Sequence, residues 1–162
     1  MTVEWRVVTK PEDIQKVAKL ADEIWSEHYN EILVPGQIAY MVEKFQSPSA
    51  ITRQIEDGYE YQLCLCDGQP AGYYAIQPQG TEMFLSKIYI HKNFRRKGLA
   101  RQAVGEIVKK SKGCDSIFLT VNKYNAGSIA AYEAMGFETT DQAVTDIGNG
   151  YVMDDYIMTK QL

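Results

Sequence analysis

The stretch Met83–Ala100, MFLSKIYIHKNFRRKGLA, decides the fold of this chain. An apolar run rich in β-type residues leads into a basic turn around Gly98, and an amphipathic pattern typical of a helix follows. A helix that begins there points its free backbone N–H groups at one place, with arginine and lysine side chains beside them. We therefore predict that this turn binds an anion.

The turn Arg95–Ala100, RRKGLA, has the composition of a phosphate cradle. Gly98 lets the backbone approach a ligand without a Cβ in the way, and Ala100 keeps the first helical turn low. A pyrophosphate fits such a hollow. Taken alone, the spacing is equally typical of a solvated basic loop that a glycine joins to a helix.

A second strand-to-helix junction, NAGSIAAYEAMGF from Asn125 to Phe137, bears on that choice. On a helix, Ser128, Ala131 and Tyr132 share one face, so Tyr132 looks toward the predicted cradle. By itself Tyr132 would be interpreted as a core aromatic with a hydrogen-bonded hydroxyl. Beside an anion cradle we interpret it as a functional residue.

The rest of the chain has an α+β pattern of strands and helices. The predicted strands are Trp5–Val8, Tyr61–Cys66, Ala71–Gln77, Met83–Ile90, Ser116–Val121, Glu138–Ile147 and Tyr151–Lys160. The predicted helices run from a Thr9–Glu12 capping box to about Asn30, from Pro35 to Ser47, from Pro48 toward Asp57, from Gly98 to about Lys112 and from Ser128 to Met135. We predict one domain over residues 1–162, with a mixed, mostly antiparallel sheet of six or seven strands and helices on both faces.

At its two strand-to-helix junctions the chain resembles the GNAT superfamily of N-acetyltransferases. The family's central signature, Arg/Gln-x-x-Gly-x-Gly/Ala between a strand and a helix, is matched by Arg95, Gly98 and Ala100. Its later signature, an asparagine and then a helical tyrosine four residues before Gly-Phe, is matched by Asn125, Tyr132, Gly136 and Phe137. The resemblance covers the element order of essentially the whole chain, and it implies the GNAT fold.

The resemblance also implies acetyl-CoA as the acetyl donor. Main-chain N–H groups of residues 96–101 and nearby basic side chains would hold the pyrophosphate, a set made of Arg95, Arg96, Lys97, Gly98, Leu99, Ala100 and Arg101. The pantetheine would run along Ile88, Tyr89 and Ile90 like an added strand, which requires the two central strands to diverge. Asn122 and Asn125 would contact the cofactor's amides, with Ser128 beside them on the helix face of Tyr132.

Tyr132 is the implied general acid for the departing thiolate. The unperturbed pKa values are about 10 for a tyrosine and about 8.5 for a thiol, so a phenol can donate its proton once the thiolate has formed. A main-chain N–H group near Tyr89 or Ile90 would stabilise the oxyanion. The resemblance thus implies direct attack of an amine on the thioester.

The general base is not assigned by the sequence. Many members of the family carry a glutamate at places that correspond roughly to Phe84 or Ser86, neither of which can accept a proton usefully. Glu82 is the only carboxylate of that strand. The remaining choices for the base are water held by main-chain carbonyls or Glu27, His28 or Glu31 from the helical arm, and these three residues with Glu82 are the predicted acceptor residues. The carboxylates Glu23, Glu27, Glu31, Asp154 and Asp155 form either an acidic mouth for a cationic acceptor or simply a solvated surface.

The early segment from HYNEIL through YMVEKFQS and the closing segment GNGYVMDDYIM resemble bacterial GNAT proteins related to spermidine and spermine acetyltransferases. We therefore predict a polyamine or another small primary amine as acceptor, with a peptide N-terminus or protein lysine as the runner-up and an aminoglycoside below both. A non-catalytic CoA-binding sensor is the alternative of another class, and Tyr132 argues against it.

Composition excludes several other classes of protein. With 17 Lys and Arg against 21 Asp and Glu, the net charge of -4 argues against a nucleic-acid-binding protein. Three cysteines without a CxxC pair and only two histidines predict core thiols, a reducing compartment and no metal site. The chain has neither a membrane-length apolar run nor an apolar N-terminal signal, so we expect a soluble cytoplasmic protein. The sequence does not exclude a homodimer.

Overall fold

A computed structural model describes residues 1–29 and 32–162 of the chain. The predicted α+β fold is confirmed, because seven strands and five α-helices follow one another in the expected order in this part of the chain. The elements are β1 Val3–Val7, α1 Pro11–His28, α2 Pro35–Gln46, α3 Pro48–Glu56, β2 Glu60–Cys66, β3 Gln69–Gln79, β4 Glu82–Ile90, a short 3-10 helix Lys92–Phe94, α4 Leu99–Lys110, β5 Ser116–Asn122, α5 Ala126–Ala134, β6 Glu138–Gly148 and β7 Tyr151–Gln161.

The seven strands form one sheet in the order β1-β2-β3-β4-β5-β7-β6. Every neighbouring pair is antiparallel except β4 with β5, which is parallel. The sheet is therefore mixed and mostly antiparallel, as predicted. The parallel pair stands at its centre, and the crossover between the two strands carries α4.

Helices cover both faces of the sheet, and a separate core lies under each group. One face packs against α1, α2 and α3 around Trp25, Ile51 and Tyr73. The other packs against α4 and α5 around Ile107 and Met158. Alternating side chains along each strand supply both cores, because successive residues of a strand point to opposite faces. No helix of the described residues is long and apolar enough to cross a membrane.

The central strands β4 and β5 diverge after a short paired stretch. Glu82–Phe84 pairs with Ser116–Phe118, and no further pairing of these two strands occurs in the described residues. A β-bulge at this point explains the divergence, because Ala75 and Ile76 of β3 face Lys87 and Leu85 and leave Ser86 as an extra residue. Bulges bend the strand that carries them. The opening implied by the resemblance is thus confirmed.

The predicted start of α1 is wrong by one residue. The residue that caps α1 is Lys10, whose extended backbone has ψ 146°, and no side chain caps the helix. Pro11 explains this, since proline disfavours a helical conformation in the residue before it and thereby leaves Thr9 outside the helix. The helix ends at His28 rather than at about Asn30, which lies outside the described residues.

Candidate active site

The predicted anion cradle is a turn with two left-handed residues between the 3-10 helix and α4. Arg96 has φ 63° and Gly98 has φ 78°, and Gly98 is the residue that precedes the first turn of α4. A Cβ added at Gly98 would meet no atom within 4 Å. The glycine is therefore required by its backbone conformation, and the space above it is an open hollow at the N-terminus of a helix.

This hollow belongs to a cavity of about 520 Å³, here called the cradle cavity. It runs from the turn to α5 along the edge of β4 that β5 leaves unpaired. It brings together most of the residues predicted to hold acetyl-CoA. Those that line it are Ile88, Tyr89, Ile90, Arg95, Arg96, Gly98, Leu99, Ala100, Arg101 and Ser128. Lys97 is not among the lining residues. The cavity's shape and donors fit a nucleoside diphosphate joined to a long chain, because helix N–H groups face one end and an unpaired strand edge flanks the rest.

Arg95 and Leu99 contribute to the cradle in other ways than the sequence indicates. The Nε of Arg95 donates to the Ile90 carbonyl at 3.0 Å, and its Nη2 lies 3.1 Å from Oε2 of Glu27. Arg95 thus ties the turn to the end of β4 and to α1. Leu99 is 2% exposed and packs in a small core with Cys64, so it offers the cradle its backbone and not its side chain.

A second cavity of about 350 Å³, here called the inner cavity, lies where β4 and β5 diverge, under α1 and α2. Aromatic and aliphatic side chains such as Trp25, Met41 and Phe84 form most of its wall. In the described part of the chain, the inner cavity and the cradle cavity share five lining residues, which are His28, Ile88, Tyr89, Ser128 and Tyr132. A group delivered along the cradle cavity would therefore meet a molecule in the inner cavity beside Tyr132.

The phenol of Tyr132 stays protonated at neutral pH. Its side chain is half-buried on α5, and the ring packs edge-on against Phe137 with 5.9 Å between the centroids. The surrounding protein raises the pKa of Tyr132 well above its usual range, mainly by desolvating the phenolate and secondarily through Tyr29. Such a phenol can act as a proton donor at the junction of the two cavities.

Asn125 and Asn122 line the inner cavity and not the cradle cavity. The Oδ1 of Asn125 accepts a hydrogen bond from the Ser128 backbone at 3.3 Å and so caps α5. Its Nδ2 lies 3.1 Å from Nε2 of His28. Burial first, and Arg95 second, lower the pKa of His28, so this imidazole is neutral at physiological pH. Asn125 thereby fixes both the helix of Tyr132 and the imidazole beside it.

The predicted acceptor residues that the structure describes do not lie together. Glu82 lies at the far end of β4, where it accepts a hydrogen bond from the Ser116 hydroxyl at 3.0 Å, and it lines neither cavity. Glu27 is held by Arg95, and Glu31 lies outside the described residues. Of the three that the structure describes, His28 alone lines the inner cavity.

Two buried charged residues line the inner cavity. The sequence named Asp155 only as part of an acidic mouth or a solvated surface, and it did not assign Lys87 to the site. Asp155 on β7 is 7% exposed, and burial, with help from Asp154, raises its pKa to about 6. Lys87 on β4 is 6% exposed, and burial lowers its pKa to about 7. The Lys87 amine donates to the Phe45 carbonyl and, at 2.9 Å, to Gln54. The sequence offered one signal for Asp155, its place among alternating apolar residues of β7.

Among the described residues no group of three or more His, Cys, Asp or Glu side chains is arranged to hold a metal ion. Cys64 and Cys66 are buried on one face of β2, and burial raises the pKa of the Cys64 thiol to about 12. A thiol with so high a pKa is a poor nucleophile at neutral pH.

Solved structures of other proteins share this architecture. The PaiA N-acetyltransferase of Thermoplasma acidophilum, solved in complex with coenzyme A, matches with a TM-score of 0.82 at 21% identity over 100% of both chains. The ribosomal-protein-S18-alanine N-acetyltransferase of Escherichia coli matches with a TM-score of 0.74 at 16% identity over 99% of this chain and 94% of that one. An acetyltransferase from Thermus thermophilus matches with a TM-score of 0.72 at 19% identity over 100% of this chain and 98% of that one. At these identities the likeness is one of fold.

No curated protein sequence matches the chain. Residues 17–137, in contrast, match the model of the Acetyltransferase (GNAT) family, and this range contains the cradle, both diverging strands and Tyr132. The cradle cavity independently has the donors that the coenzyme's pyrophosphate and pantetheine need. The chain therefore belongs to the Acetyltransferase (GNAT) family, and it is an acetyl-CoA-dependent N-acetyltransferase.

Proposed function

We propose that this enzyme transfers the acetyl group to a small primary amine, with a polyamine as the leading candidate, by direct attack with Tyr132 as general acid. The observation that carries the proposal is the meeting of the two cavities at Tyr132. One cavity has the donors for the coenzyme, and the other can hold an acceptor beside the same phenol.

The size of the inner cavity supports a small acceptor. Its volume of about 350 Å³ is at the lower end of the range of ligand pockets, roughly 300–1,000 Å³, and suits an extended alkylamine. Trp25, Tyr29, Tyr59 and Tyr89 line it, and aromatic faces attract ammonium groups. A cationic chain is therefore a better match for this wall than a neutral acceptor.

The charge of the inner cavity supports the same class of acceptor. Asp155 is its only carboxylate among the described lining residues. Its one lysine, Lys87, is held by acceptors from α2, α3 and β2, with Nζ 2.5 Å from the Tyr61 hydroxyl. An incoming ammonium group would thus meet the negative charge of Asp155, while the amine of Lys87 is held by its own hydrogen bonds.

Acetyl-CoA, when bound, supplies an activated acetyl group as a thioester. The main-chain N–H groups of the turn at Gly98 hold the diphosphate, and the unpaired end of β4 aligns the pantetheine chain. A backbone N–H at Tyr89 or Ile90 stabilises the oxyanion that forms when the amine attacks. Tyr132 then gives its proton to the departing sulfur.

A panel of acceptors incubated with acetyl-CoA tests this proposal, with released thiol measured and products identified by mass spectrometry. The panel contains spermidine, spermine, simple alkylamines, peptides with free N-termini and an aminoglycoside. We expect thiol release with the polyamines and little with peptides. Turnover restricted to peptides would favour the runner-up acceptor, which the shared fold with a ribosomal-protein-S18-alanine N-acetyltransferase keeps open. Coenzyme binding without turnover of any amine would identify a sensor.

A further inference from the structure

We propose that the carboxylate of Asp155 binds the ammonium group of the acceptor and takes up its proton, which makes Asp155 the general base of the transfer. This inference rests on the proposed function, because it presumes an amine in the inner cavity. It also answers why the strand before the cradle can lack a useful carboxylate near Phe84 and Ser86.

The geometry of β7 places this carboxylate at the acceptor. Asp155 and Met153 lie on the same face of the strand, and Met153 packs on the core under α1 and α2. Asp154 points to the opposite face, where Oδ1 lies 2.9 Å from Nζ of Lys123. In the sheet Asp155 pairs with Asn122 of β5, the last residue of the strand that diverges from β4. Asp155 therefore stands beside the opening between the central strands.

Asp155 differs from the other candidate carboxylates because its side chain makes no hydrogen bond or ion pair in the described part of the chain. The other described ones each have a partner, namely Glu23 with His91, Glu27 with Arg95, Glu82 with Ser116 and Asp154 with Lys123. A buried carboxylate without a partner destabilises a fold unless a ligand uses it. An ammonium group in the inner cavity would supply the missing partner.

The other titratable groups that face Asp155 are poorer proton acceptors at neutral pH. The remaining described ones in the wall of the inner cavity are His28 at the end of α1, Tyr29 just after it, Tyr59 just before β2, Lys87 and Tyr89 from β4, and Tyr132 from α5. Burial raises the pKa of Tyr29 to about 12 and holds the pKa of Tyr89 well above its ordinary value, so neither phenol accepts a proton at neutral pH. Lys87 is occupied by its three acceptors. Burial lowers the pKa of His28, which makes it a weaker base, and the Asn125 amide Nδ2, a donor, lies 3.1 Å from its Nε2 and occupies that lone pair.

The proposed chemistry conserves protons and electron pairs. Asp155 accepts one proton from the ammonium group, which leaves a neutral amine with a free lone pair. That lone pair forms the nitrogen–carbon bond to the acetyl carbonyl, and the carbon–sulfur bond breaks with its electron pair on sulfur. Tyr132 gives its proton to the sulfur and takes one from the new amide nitrogen. Asp155 releases its proton to water, so each acetylated ammonium yields one free proton.

The test compares wild type, Asp155→Asn and the control Asp141→Asn, in which the same chemical change is made on the exposed strand β6. The measured quantity is kcat/KM for spermidine from pH 5 to 9, with acetyl-CoA affinity determined by calorimetry. For the wild type and the control we expect an acid limb near pH 6. For Asp155→Asn we expect about a 10²-fold to 10⁴-fold loss at neutral pH and a rate that rises with the free-amine fraction toward about pH 10. Acetyl-CoA affinity should be the same in all three.

A second readout does not depend on turnover. Spermidine should bind to the wild-type complex with coenzyme A at pH 8 at least tenfold more tightly than to the Asp155→Asn complex. If Asp155→Asn keeps kcat/KM within threefold of wild type and retains the acid limb, or binds spermidine equally well, the role of Asp155 is refuted while the proposed function stands. A wild type that binds acetyl-CoA but acetylates no amine refutes the proposed function itself.

Discussion

Replacing Asp155 by asparagine removes a buried negative charge and keeps the size of the side chain, and we expect the variant to be more stable than the wild type at pH 8. The reason is that the wild-type fold must bury an ionised carboxylate that has no protein partner in the described residues. An asparagine at the same place is neutral at every pH. The gain in stability and the loss of activity should therefore occur together in one variant.

The size of this effect follows from the pKa of Asp155. Burial raises it from the ordinary 3.8 to about 6, a difference of about two pKa units, and each unit corresponds to 1.36 kcal/mol. Ionised Asp155 therefore lowers the free energy of unfolding by about 3 kcal/mol. For a domain of this length, 1 kcal/mol shifts Tm by about 2–4 °C, so the variant should melt roughly 6–12 °C above the wild type at pH 8.

The pH dependence of this difference has a definite sign. Between pH 3.8 and about 6 the folded wild type binds more protons at Asp155 than the unfolded chain, so its stability falls as the pH rises through this window. The advantage of Asp155→Asn should therefore be complete above about pH 7, about half as large at pH 5 and mostly absent at pH 4. Groups such as His28 and Lys87 are present in both proteins, so their own titrations cancel in the difference.

Thermal and urea unfolding of wild type, Asp155→Asn and Asp141→Asn at pH 4, 5, 6, 7 and 8 measure this directly. Asp141→Asn should match the wild type at each pH, because Asp141 is exposed. Equal stability of Asp155→Asn and wild type at pH 8, or a difference that does not change with pH, would refute the reasoning. Either result would mean that water or a cation solvates the Asp155 carboxylate in the folded protein.

Three further substitutions test the remaining parts of the site. Gly98→Asp should abolish acetyl-CoA binding measured by calorimetry, since it strains a backbone at φ 78° and puts a negative charge in the cradle, whereas Gly105→Asp on the exposed side of the same helix should bind normally. Tyr132→Phe should lower kcat by about 10²-fold with unchanged acetyl-CoA affinity, and equal turnover would remove this phenol from the mechanism. Gly72→Ala should lower the free energy of unfolding by about 1–3 kcal/mol, because its Cβ would lie 2.5 Å from the Tyr89 carbonyl oxygen. The control Gly105→Ala, whose Cβ would meet no atom within 4 Å, should not destabilise the protein. An unchanged urea midpoint for Gly72→Ala would contradict the contact.

Local signals in the sequence predicted the elements and the turn at Gly98 well. Strand alternation, the Asp67-Gly68 turn and the Ser47-Pro48 boundary each depend on a few neighbouring residues, and the structure has the elements they predict. The cradle at Gly98 is likewise local, because one left-handed glycine and one helix start create it. The exception is Thr9, which was predicted to cap α1. The helix begins one residue later, because Pro11 makes Lys10 the capping residue.

The inner cavity could not be predicted in the same way, because its wall comes from segments far apart in the sequence. Asp155 reaches it only through the sheet order, which inserts β7 between β5 and β6. Lys87 reaches it through the bulge at Ser86, which no turn residue marks. Met83 and Leu85 pack under α4, whereas Lys87 contacts Phe45 on the other face. An unbroken alternation would have sent Lys87 to the same side as Leu85.

One structural cause opens the cradle cavity and the inner cavity together. The rings of Phe84 and Phe118 stack with their centroids 4.8 Å apart at the last paired position of β4 and β5. Beyond them the bulge bends β4 away, while β5 stays paired with β7 as far as Asn122 and Asp155. The free edge of β4 then lines the cradle cavity, and the gap between the strands opens the inner cavity toward the carboxylate on β7. One bend thus produces both openings, and under the proposed function donor and acceptor meet where the two cavities share Tyr132.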